Sequence, residues 1–240
     1  VYGASINSRD AAMALEKMDR AGYEHVTYLE GGLEAWRGAG YDLEGEAPDQ
    51  HDDPQTKVAL PDGRYSVDAD ASQVEWAGRN PNTRHIGTVD IAKGVIDIKD
   101  RTITGKVEID METSHNINLE GDELQPVLEA HLRSDDFFFT KIFPKAVFTF
   151  KKATPIEPGW LTAPNYRVEG ELNLRGVSAG LEFDATVAPI EEGTFVVEAH
   201  FDIDRTRWNV IYGSTRFFEH LGMHKVFDLL SFQIRMIVVR

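Results

Sequence analysis

Short stretches in which apolar and polar residues alternate dominate the sequence from about residue 64 to the C-terminus. In one of them Ala146, Phe148 and Phe150 share one face, and polar residues such as Thr149 and Lys151 lie on the other. Successive side chains of a strand point to opposite faces, so this pattern predicts strands with one apolar side. The sequence between them offers no crossover helices. A mainly β domain, an antiparallel barrel or sandwich, is therefore expected, and a βαβ fold is excluded.

The alternating stretches number about eight to ten, enough to close a barrel. The clearest cover residues 73–78, 95–98, 103–109, 166–174, 181–187, 195–203 and 227–238. A turn at residues 99–101 separates the second and third of these. We predict a lipocalin-like antiparallel β-barrel over residues 64–240.

The inward face of the later strands mixes bulky and small residues. Its predicted members are Leu172, Leu174, Phe183, Ala185, Val187, Phe195, Val197, Ala199, Phe201 and Ile203. Alanines opposite bulky residues either interdigitate with them or leave a tunnel. The sequence leaves both possibilities open: a filled core and a barrel that holds a ligand.

Two segments break the alternation and have helical spacing. In residues 122–134, leucines recur at the helical spacing of four residues, at Leu124, Leu128 and Leu132. Pro126 lies in the first turn, where proline is tolerated. Residues 214–223 carry Phe217 and Phe218, and Gly222 is suited to end a helix there. We predict two short amphipathic helices that act as lids over the mouth of the barrel.

The first 47 residues have a different character. A helix is predicted from Ser8–Asp10 onward, a strand at Val26–Leu29 and a second helix at Leu33–Arg37. The run LEGGLEAW at Leu29–Trp36 resembles the C-terminal half of a rhodanese-like domain, which would be a small α/β fragment. The position that matches the sulfur-carrying cysteine of that family is Gly3, so sulfur transfer is not expected from this polypeptide.

Residues 48–63 combine three prolines with a cluster of aspartates and show no periodicity, which is typical of a linker. The expected organisation is a rhodanese-like fragment at 1–47, a linker at 48–63 and the barrel at 64–240. Because the chain starts at Val1 without an initiator Met, we expect that a leader was removed or that upstream sequence is missing. A sulfurtransferase completed by such upstream residues is an alternative function.

The barrel segment resembles the YceI-like family over nearly all of residues 64–240. The residues that carry the resemblance are Tyr65–Asp68, Val74–Trp76, His85–Gly87, Gly105, Val107–Asp110, His131–Leu132, Ser134–Phe138, Pro144, Phe148, Val168–Leu172, Leu174–Val177 and Asp204–Trp208. The resemblance implies a lipocalin-like barrel that binds a polyisoprenoid or another long-chain lipid. Residues 110–125 and the run RFFEHLGMHKVFD depart from the family pattern, at segments expected near the mouth.

On this basis we predict a carrier or storage protein for a long apolar ligand, most simply a polyisoprenoid or the tail of an isoprenoid quinone. The predicted ligand contacts are Trp76, His85, Phe137, Phe138, Phe148, Phe150, Leu174, Phe183, Phe201, Trp208, Tyr212, Phe217 and Phe218. Head-group candidates at the mouth are His85, Arg175, Arg205 and Trp208, although both arginines are better explained by structural ion pairs. No cofactor is required, and a bound isoprenoid or fatty-acid-like lipid is expected.

The amino-acid composition argues against several classes of binding partner. A formal net charge of -15 argues against nucleic acid and anionic membrane surfaces. The absence of cysteine excludes disulfides and thiol chemistry within this chain. No apolar run approaches the roughly 18 to 20 residues of a spanning helix, so membrane insertion is not expected. A homodimer is an open alternative, and we expect a cytoplasmic location, with the periplasm as the alternative.

The competing class is a metal-dependent enzyme. His220 and His224 are four residues apart and would share a helix face, and His85 and His131 are further imidazoles. No HExxH pattern, nucleophile elbow or phosphate loop accompanies them. We therefore predict neither a metal site nor an enzyme, and keep these four histidines as the alternative site.

Overall fold

The computed structural model describes residues 1–3, 10–44, 60–157 and 162–240, and the chain divides into two compact units, residues 1–54 and 55–240. In the first unit, helix α1 spans Asp10–Arg20 and helix α2 spans Gly32–Gly38. Both helices were predicted. The predicted strand at Val26–Leu29 is wrong: a single parallel bridge joins Tyr2 to Leu29. The rhodanese-like resemblance of residues 1–47 stays a prediction.

The second unit is a closed barrel of eight antiparallel strands in which each strand pairs with the next and the last pairs with the first. The strands are β1 Gly63–Arg79, β2 Arg84–Lys99, β3 Thr102–Asn116, β4 Lys145–Pro155, β5 Tyr166–Leu174, β6 Val177–Glu191, β7 Thr194–Asp204 and β8 Leu229–Val239. Closure removes the exposed edges that would otherwise pair with other chains. The predicted mainly β antiparallel barrel is confirmed.

The first three strands are longer than the stretches recognised in the sequence. Several short alternating runs merge into one strand because bulges interrupt the alternation, for example between Asp68 and Gln73 in β1 and between Ile91 and Lys93 in β2. An extra residue at a bulge bends a strand and lets it follow the barrel wall. The turn between β2 and β3 lies where it was predicted.

The N-terminal limit of the barrel differs from the prediction. Leu60 is buried in the barrel core, and β1 begins at Gly63. Residues 60–63 thus belong to the barrel, and the linker predicted at 48–63 extends too far. Residues 48–59 lie outside the described part of the chain.

One end of the barrel is filled. Tyr65, Tyr166 and Phe195 are buried there, and the Tyr65 and Phe195 rings meet edge to face with centroids 5.3 Å apart. Each tyrosine hydroxyl donates to a backbone carbonyl, Tyr65 to Pro61 O at 2.8 Å and Tyr166 to Arg101 O at 3.1 Å. A gap of only about 10 Å³ remains beside Tyr166 and Phe195. We call this packed layer the floor.

The opposite end, the mouth, is bordered by the longer connections. Helix α3, Gln125–Arg133, lies between β3 and β4 and begins close to Pro126, as predicted. Its attachment to β3 is polar: Glu129 Oε1 accepts from the Asn116 N–H at 2.9 Å, and Arg133 Nη2 donates to Ser114 O at 2.8 Å. The first lid helix is confirmed, shorter than the predicted 122–134.

The second predicted lid helix, at 214–223, is wrong. The segment forms turns followed by a single 3-10 turn at Gly222–His224. His220 and Gly222 have φ angles of 57° and 54°, in the left-handed region, which interrupts a right-handed helix. The Val226 N–H bonds Gly213 O, and the Phe227 N–H bonds Arg79 O, so contacts with distant residues determine the path of this loop.

Candidate functional site

Between the floor and the mouth the barrel is hollow. The cavity has a volume of about 340 Å³, within the range of ordinary small-molecule sites. Ten of the thirteen predicted ligand contacts line it: Trp76, His85, Phe137, Phe138, Phe148, Phe150, Leu174, Phe183, Phe201 and Tyr212. Their side chains come from β1, β2, β4, β5, β6 and β7 and from the loops at the mouth, so closure of the barrel brings them together.

Aromatic rings form a belt around the cavity wall. Phe148 contacts Phe183 with centroids 5.7 Å apart, Phe183 stacks on Phe201 at 4.2 Å, and Phe201 meets Phe232 at 6.0 Å. Phe232 is paired with Trp76 across β8 and β1, which continues the belt. Such rings offer a large apolar surface with little side-chain freedom to lose on binding.

Glycines in neighbouring strands give these rings the space to lie against the wall. A Cβ placed on Gly170 would overlap the Phe148 ring and would stand 2.7 Å from Thr149 O. A Cβ on Gly87 would overlap the Trp76 ring and the His115 carbonyl. The absence of these two side chains keeps the rings at the wall and leaves the centre of the barrel open.

Small inward residues widen the same space. Ala146 and Ala199 both line the cavity, with Ala199 between Val197 and Phe201 on β7. Ala185, directly paired with Ala199, instead borders the small gap in the floor. The tunnel and the filled core that the sequence left open are therefore both present, in different halves of one barrel.

Sequence reasoning missed the contribution of β8 to the cavity. Phe232, Ile234 and Met236 line it, and Met236 also borders the floor gap. These residues alternate along a strand that was predicted, so the period-2 signal was sufficient to find them. They were missed because the inward and outward faces of β8 were not assigned from the sequence.

Three predicted contacts do not line the cavity. Trp208 is fully buried in the hydrophobic core but does not line the cavity, and its indole N–H donates to Leu172 O of β5 at 2.7 Å. Phe217 and Phe218 lie on the loop that replaces the second lid helix and are 51% and 44% exposed. Without the helix, nothing turns these two rings toward the cavity.

The two arginines considered for the head group hold loops instead. Arg205 is fully buried and donates to the carbonyls of Val210, Tyr212, Val226 and Phe227 at 2.6 to 3.1 Å. Burial lowers the pKa of Arg205, and Asp228, 3.6 Å away, opposes this effect. The prediction that Arg205 is structural agrees with these contacts, although its main partners are backbone carbonyls.

Arg175 has a similar role on the other side of the mouth. It donates to the carbonyls of Asp135, Phe137 and Asn209 at 2.5 to 3.0 Å. It thereby connects the β5–β6 hairpin to the loops after α3 and after β7. The predicted ion pair with neighbouring acids is replaced by these carbonyl contacts.

The four histidines of the alternative metal site are not assembled into one. His85, His131 and His224 line the cavity, whereas the His220 side chain is almost fully exposed. His131 Nε2 lies 3.0 Å from Asp136 Oδ2. Among residues 1–3, 10–44, 60–157 and 162–240, no group of three or more metal-ligating side chains is placed to hold an ion.

His85 is distinguished by an unpartnered nitrogen. Its Nδ1 is buried and has no hydrogen-bond partner among the residues that the structure describes, while its Nε2 lies 3.3 Å from Thr83 Oγ1. Burial lowers the pKa of His85, because the charged imidazolium is poorly solvated there. The His85 ring thus lines the cavity near the mouth, while its Nδ1 is shielded from the cavity space.

In a comparison with protein families, the model of the YceI-like domain fits residues 65–236. That range begins and ends within β1 and β8 and includes every strand and loop that forms the cavity. No curated protein matches this chain in sequence.

Several solved structures share the fold, including the following two. The crystal structure of BcnA from Burkholderia cenocepacia gives a TM-score of 0.55 at 19% identity and covers 71% of this chain and 98% of its own. A polyisoprenoid binding domain from Saccharophagus degradans, implicated in plant cell wall breakdown, gives 0.54 at 16% identity and covers 73% and 97%. At these identities the likeness concerns the fold.

Proposed function

Because this chain belongs to the YceI-like domain family, we propose that its barrel binds a long-chain apolar ligand and carries or stores it without chemical change. The observation that carries the proposal is the apolar cavity of about 340 Å³, closed by the floor and open at the mouth. The side chains around an empty apolar space of this size lack packing contacts that they would make in a filled core. A ligand chain restores those contacts.

The energetics favour a hydrocarbon chain. Each buried methylene contributes about 0.8 kcal/mol, so ten of them contribute roughly 8 kcal/mol before the costs of association. That free energy corresponds to a dissociation constant on the order of 1 μM. Binding of this strength requires no dedicated polar site.

Within this class we favour a polyisoprenoid or the tail of an isoprenoid quinone. The belt of Trp76, Phe148, Phe183, Phe201 and Phe232 suits a branched, unsaturated chain, because flat rings pack well against its planar double-bonded units. The similar fold of the polyisoprenoid binding domain from Saccharophagus degradans supports the same choice. We propose that the protein only binds this ligand, requires no cofactor, and is located in the cytoplasm or the periplasm.

Filling the cavity tests the proposal. Ala199→Phe places a ring in the middle of the lumen, and His200→Phe places the same ring on the exposed outer face one residue further along β7. Purified wild type and both variants are extracted with organic solvent and the extracts analysed by mass spectrometry. Binding of N-phenyl-1-naphthylamine, a neutral apolar fluorophore, is measured in parallel.

We expect lipid in the wild type and in His200→Phe, and little or none in Ala199→Phe. Fluorophore binding should weaken by at least tenfold in Ala199→Phe alone, with circular dichroism unchanged. Equal lipid content and equal fluorophore binding in all three proteins would place the ligand outside the barrel and overturn the proposal.

A further inference from the structure

The exposed apolar side chains of the barrel unit are concentrated at one end. Among its described residues ten large apolar side chains are exposed, and nine of them lie within residues 117–142 or 217–229, the two segments that border the mouth. The tenth, Ile190, lies near the end of β6, at the floor. Single exposed apolar residues are ordinary at a protein surface, whereas a grouped set marks an interaction surface. We call these nine side chains the rim.

Both segments of the rim hold large side chains well out into solvent. Leu124 and Val127, at the start of α3, are 61% and 62% exposed, and Met223 is 82% exposed. Phe217 and Phe218 are each about half exposed. Apolar surface left in water is unfavourable, so a surface that covers the rim gains free energy in proportion to the apolar area it buries.

The rim is continuous with the cavity. Met223 lines the cavity and is also part of the rim. On α3, Leu128 lines the cavity while its neighbour Val127 is exposed, and after the 3-10 turn Val226 lines the cavity while Phe227 is exposed. Apolar surface therefore extends from the inside of the barrel onto its outer edge, and whatever covers the rim also faces the opening through which a ligand passes.

The loop that carries two of the rim phenylalanines is held in place by its own backbone. We call residues 213–226 the mouth loop. The Val226 N–H donates to Gly213 O at 2.9 Å and joins the two ends of the loop. The Phe217 and Phe218 N–H groups both donate to Ser214 O, at 3.1 and 3.0 Å, and Ser214 is fully buried. The fold therefore presents these rings to solvent from an anchored backbone.

We propose that the rim docks on the surface of a lipid bilayer without net charge, so that the mouth opens onto the membrane and the ligand passes between them without crossing water. The inference rests on the proposed function, because it takes the cavity to hold a long apolar chain. Each methylene that must enter water slows transfer about fourfold, so an aqueous route for ten of them is slower by about a millionfold. A bilayer is the surface in which such a chain dissolves, and a docked rim removes the aqueous step.

The charges at this end of the barrel determine which bilayer the rim fits. The mouth loop carries Arg216 and Lys225 against Glu219, a formal charge of +1, so it does not repel lipid phosphates. The other rim segment has three acidic residues at 120–123, and the whole chain carries -15, which opposes a strongly anionic surface. A zwitterionic bilayer therefore suits the rim, with apolar and aromatic side chains supplying the affinity.

Three variants of the full chain test the docking surface. The double variant Phe217→Ser with Phe218→Ser removes both rings from the mouth loop, and Val127→Ser removes an apolar side chain from the other rim segment. Ile190→Ser makes a matched change at the floor end, where the side chain is 53% exposed. None of these four residues lines the cavity, so all variants should bind N-phenyl-1-naphthylamine in solution as the wild type does, with unchanged circular dichroism.

Two measurements use phosphatidylcholine vesicles. Flotation measures vesicle binding, and stopped-flow fluorescence follows transfer of N-phenyl-1-naphthylamine from the protein to vesicles that contain an energy-transfer acceptor. Wild-type transfer should accelerate in proportion to vesicle concentration, because docking precedes release. Vesicle binding should weaken at least tenfold in the double variant and severalfold in Val127→Ser, and stay unchanged in Ile190→Ser. Added phosphatidylglycerol should weaken binding, most strongly at low salt.

Four results would overturn the inference while leaving the barrel function intact. They are a transfer rate that is independent of vesicle concentration, equal vesicle binding by the wild type and both rim variants, an equal loss in Ile190→Ser, and tighter binding to vesicles that contain phosphatidylglycerol. Absence of fluorophore binding by the wild type in solution is a different result: the proposed function then fails, and this inference fails with it.

Discussion

A series of straight-chain alcohols of increasing length measures the depth of the cavity. Along β7 the cavity wall runs from Ile203 near the mouth to Val197, and Phe195 already belongs to the floor. The Val197–Ile203 span, at roughly 3.3 Å per residue and a strand tilt of about 40°, corresponds to a depth of about 15 Å. An extended chain of single bonds advances roughly 3.6 Å per three bonds, so about a dozen bonds fit in one pass.

The expected binding curve follows from this depth. Each methylene added to a short alcohol should improve affinity about fourfold, the equivalent of about 0.8 kcal/mol. Beyond about 12 carbons the gain should fall to nearly nothing, because further methylenes meet the floor or remain outside the mouth. The measurement is displacement of N-phenyl-1-naphthylamine by alcohols of 6 to 18 carbons.

A variant that opens the floor provides the control. Met236 borders both the cavity and the floor gap, so Met236→Ala should join the two spaces and move the plateau to longer chains. We expect a cost of about 2–5 kcal/mol in the free energy of unfolding, measured with urea. A steady fourfold gain per methylene up to 18 carbons in the wild type would show that the floor does not limit the ligand and would refute the reasoning.

Three further predictions concern the wall, the mouth and pH. Gly170→Ala should force the Phe148 ring away from the wall. We expect the free energy of unfolding in urea to fall by about 1–3 kcal/mol and the affinity for the fluorophore to weaken. Unchanged values for both would contradict the proposed role of this glycine. Arg205→Met should cost about 3–5 kcal/mol in the same assay, because several buried carbonyls lose their donor, and a loss below about 1 kcal/mol would show that the mouth loop does not depend on it. Burial lowers the pKa of His85, so the unfolded chain takes up a proton on this residue at a higher pH than the folded protein does. The free energy of unfolding should therefore decrease as the pH falls below about 6.5, the ordinary pKa of histidine. His85→Phe should therefore show a smaller loss of stability between pH 7 and pH 5 than the wild type, and equal slopes would refute this assignment.

Local patterns were sufficient for most of the fold. Alternation along residues 166–174 predicted β5 at its observed bounds, and the inward and outward faces of β6 and β7 were assigned correctly. Helix α3 was found from its leucine spacing and Pro126. These features depend on residues close together in the sequence, so the sequence carries the signal.

The elements that were missed depend on distant residues. The 214–223 segment has helical spacing, but the carbonyls on either side of it are held by the buried guanidinium of Arg205. Trp208 looked like a ligand contact because it is a large aromatic residue near the mouth, and only the folded barrel shows that it is buried outside the cavity lining, bonded to Leu172 O. In both cases the partner lies on another strand or loop, and a pattern within one segment does not reveal it.

Ala185 and Ala199 separate what the sequence determined from what the tertiary structure decided. Alternation alone determined that both alanines point into the barrel, because side-chain direction along a strand is a local property. Ala199 borders the cavity, while its direct partner Ala185 borders the floor. This difference was decided by Tyr166 on β5, Phe195 on β7 and Met236 on β8. Space inside a barrel is what remains after side chains from all eight strands have been placed, so it is known only when the strands are closed.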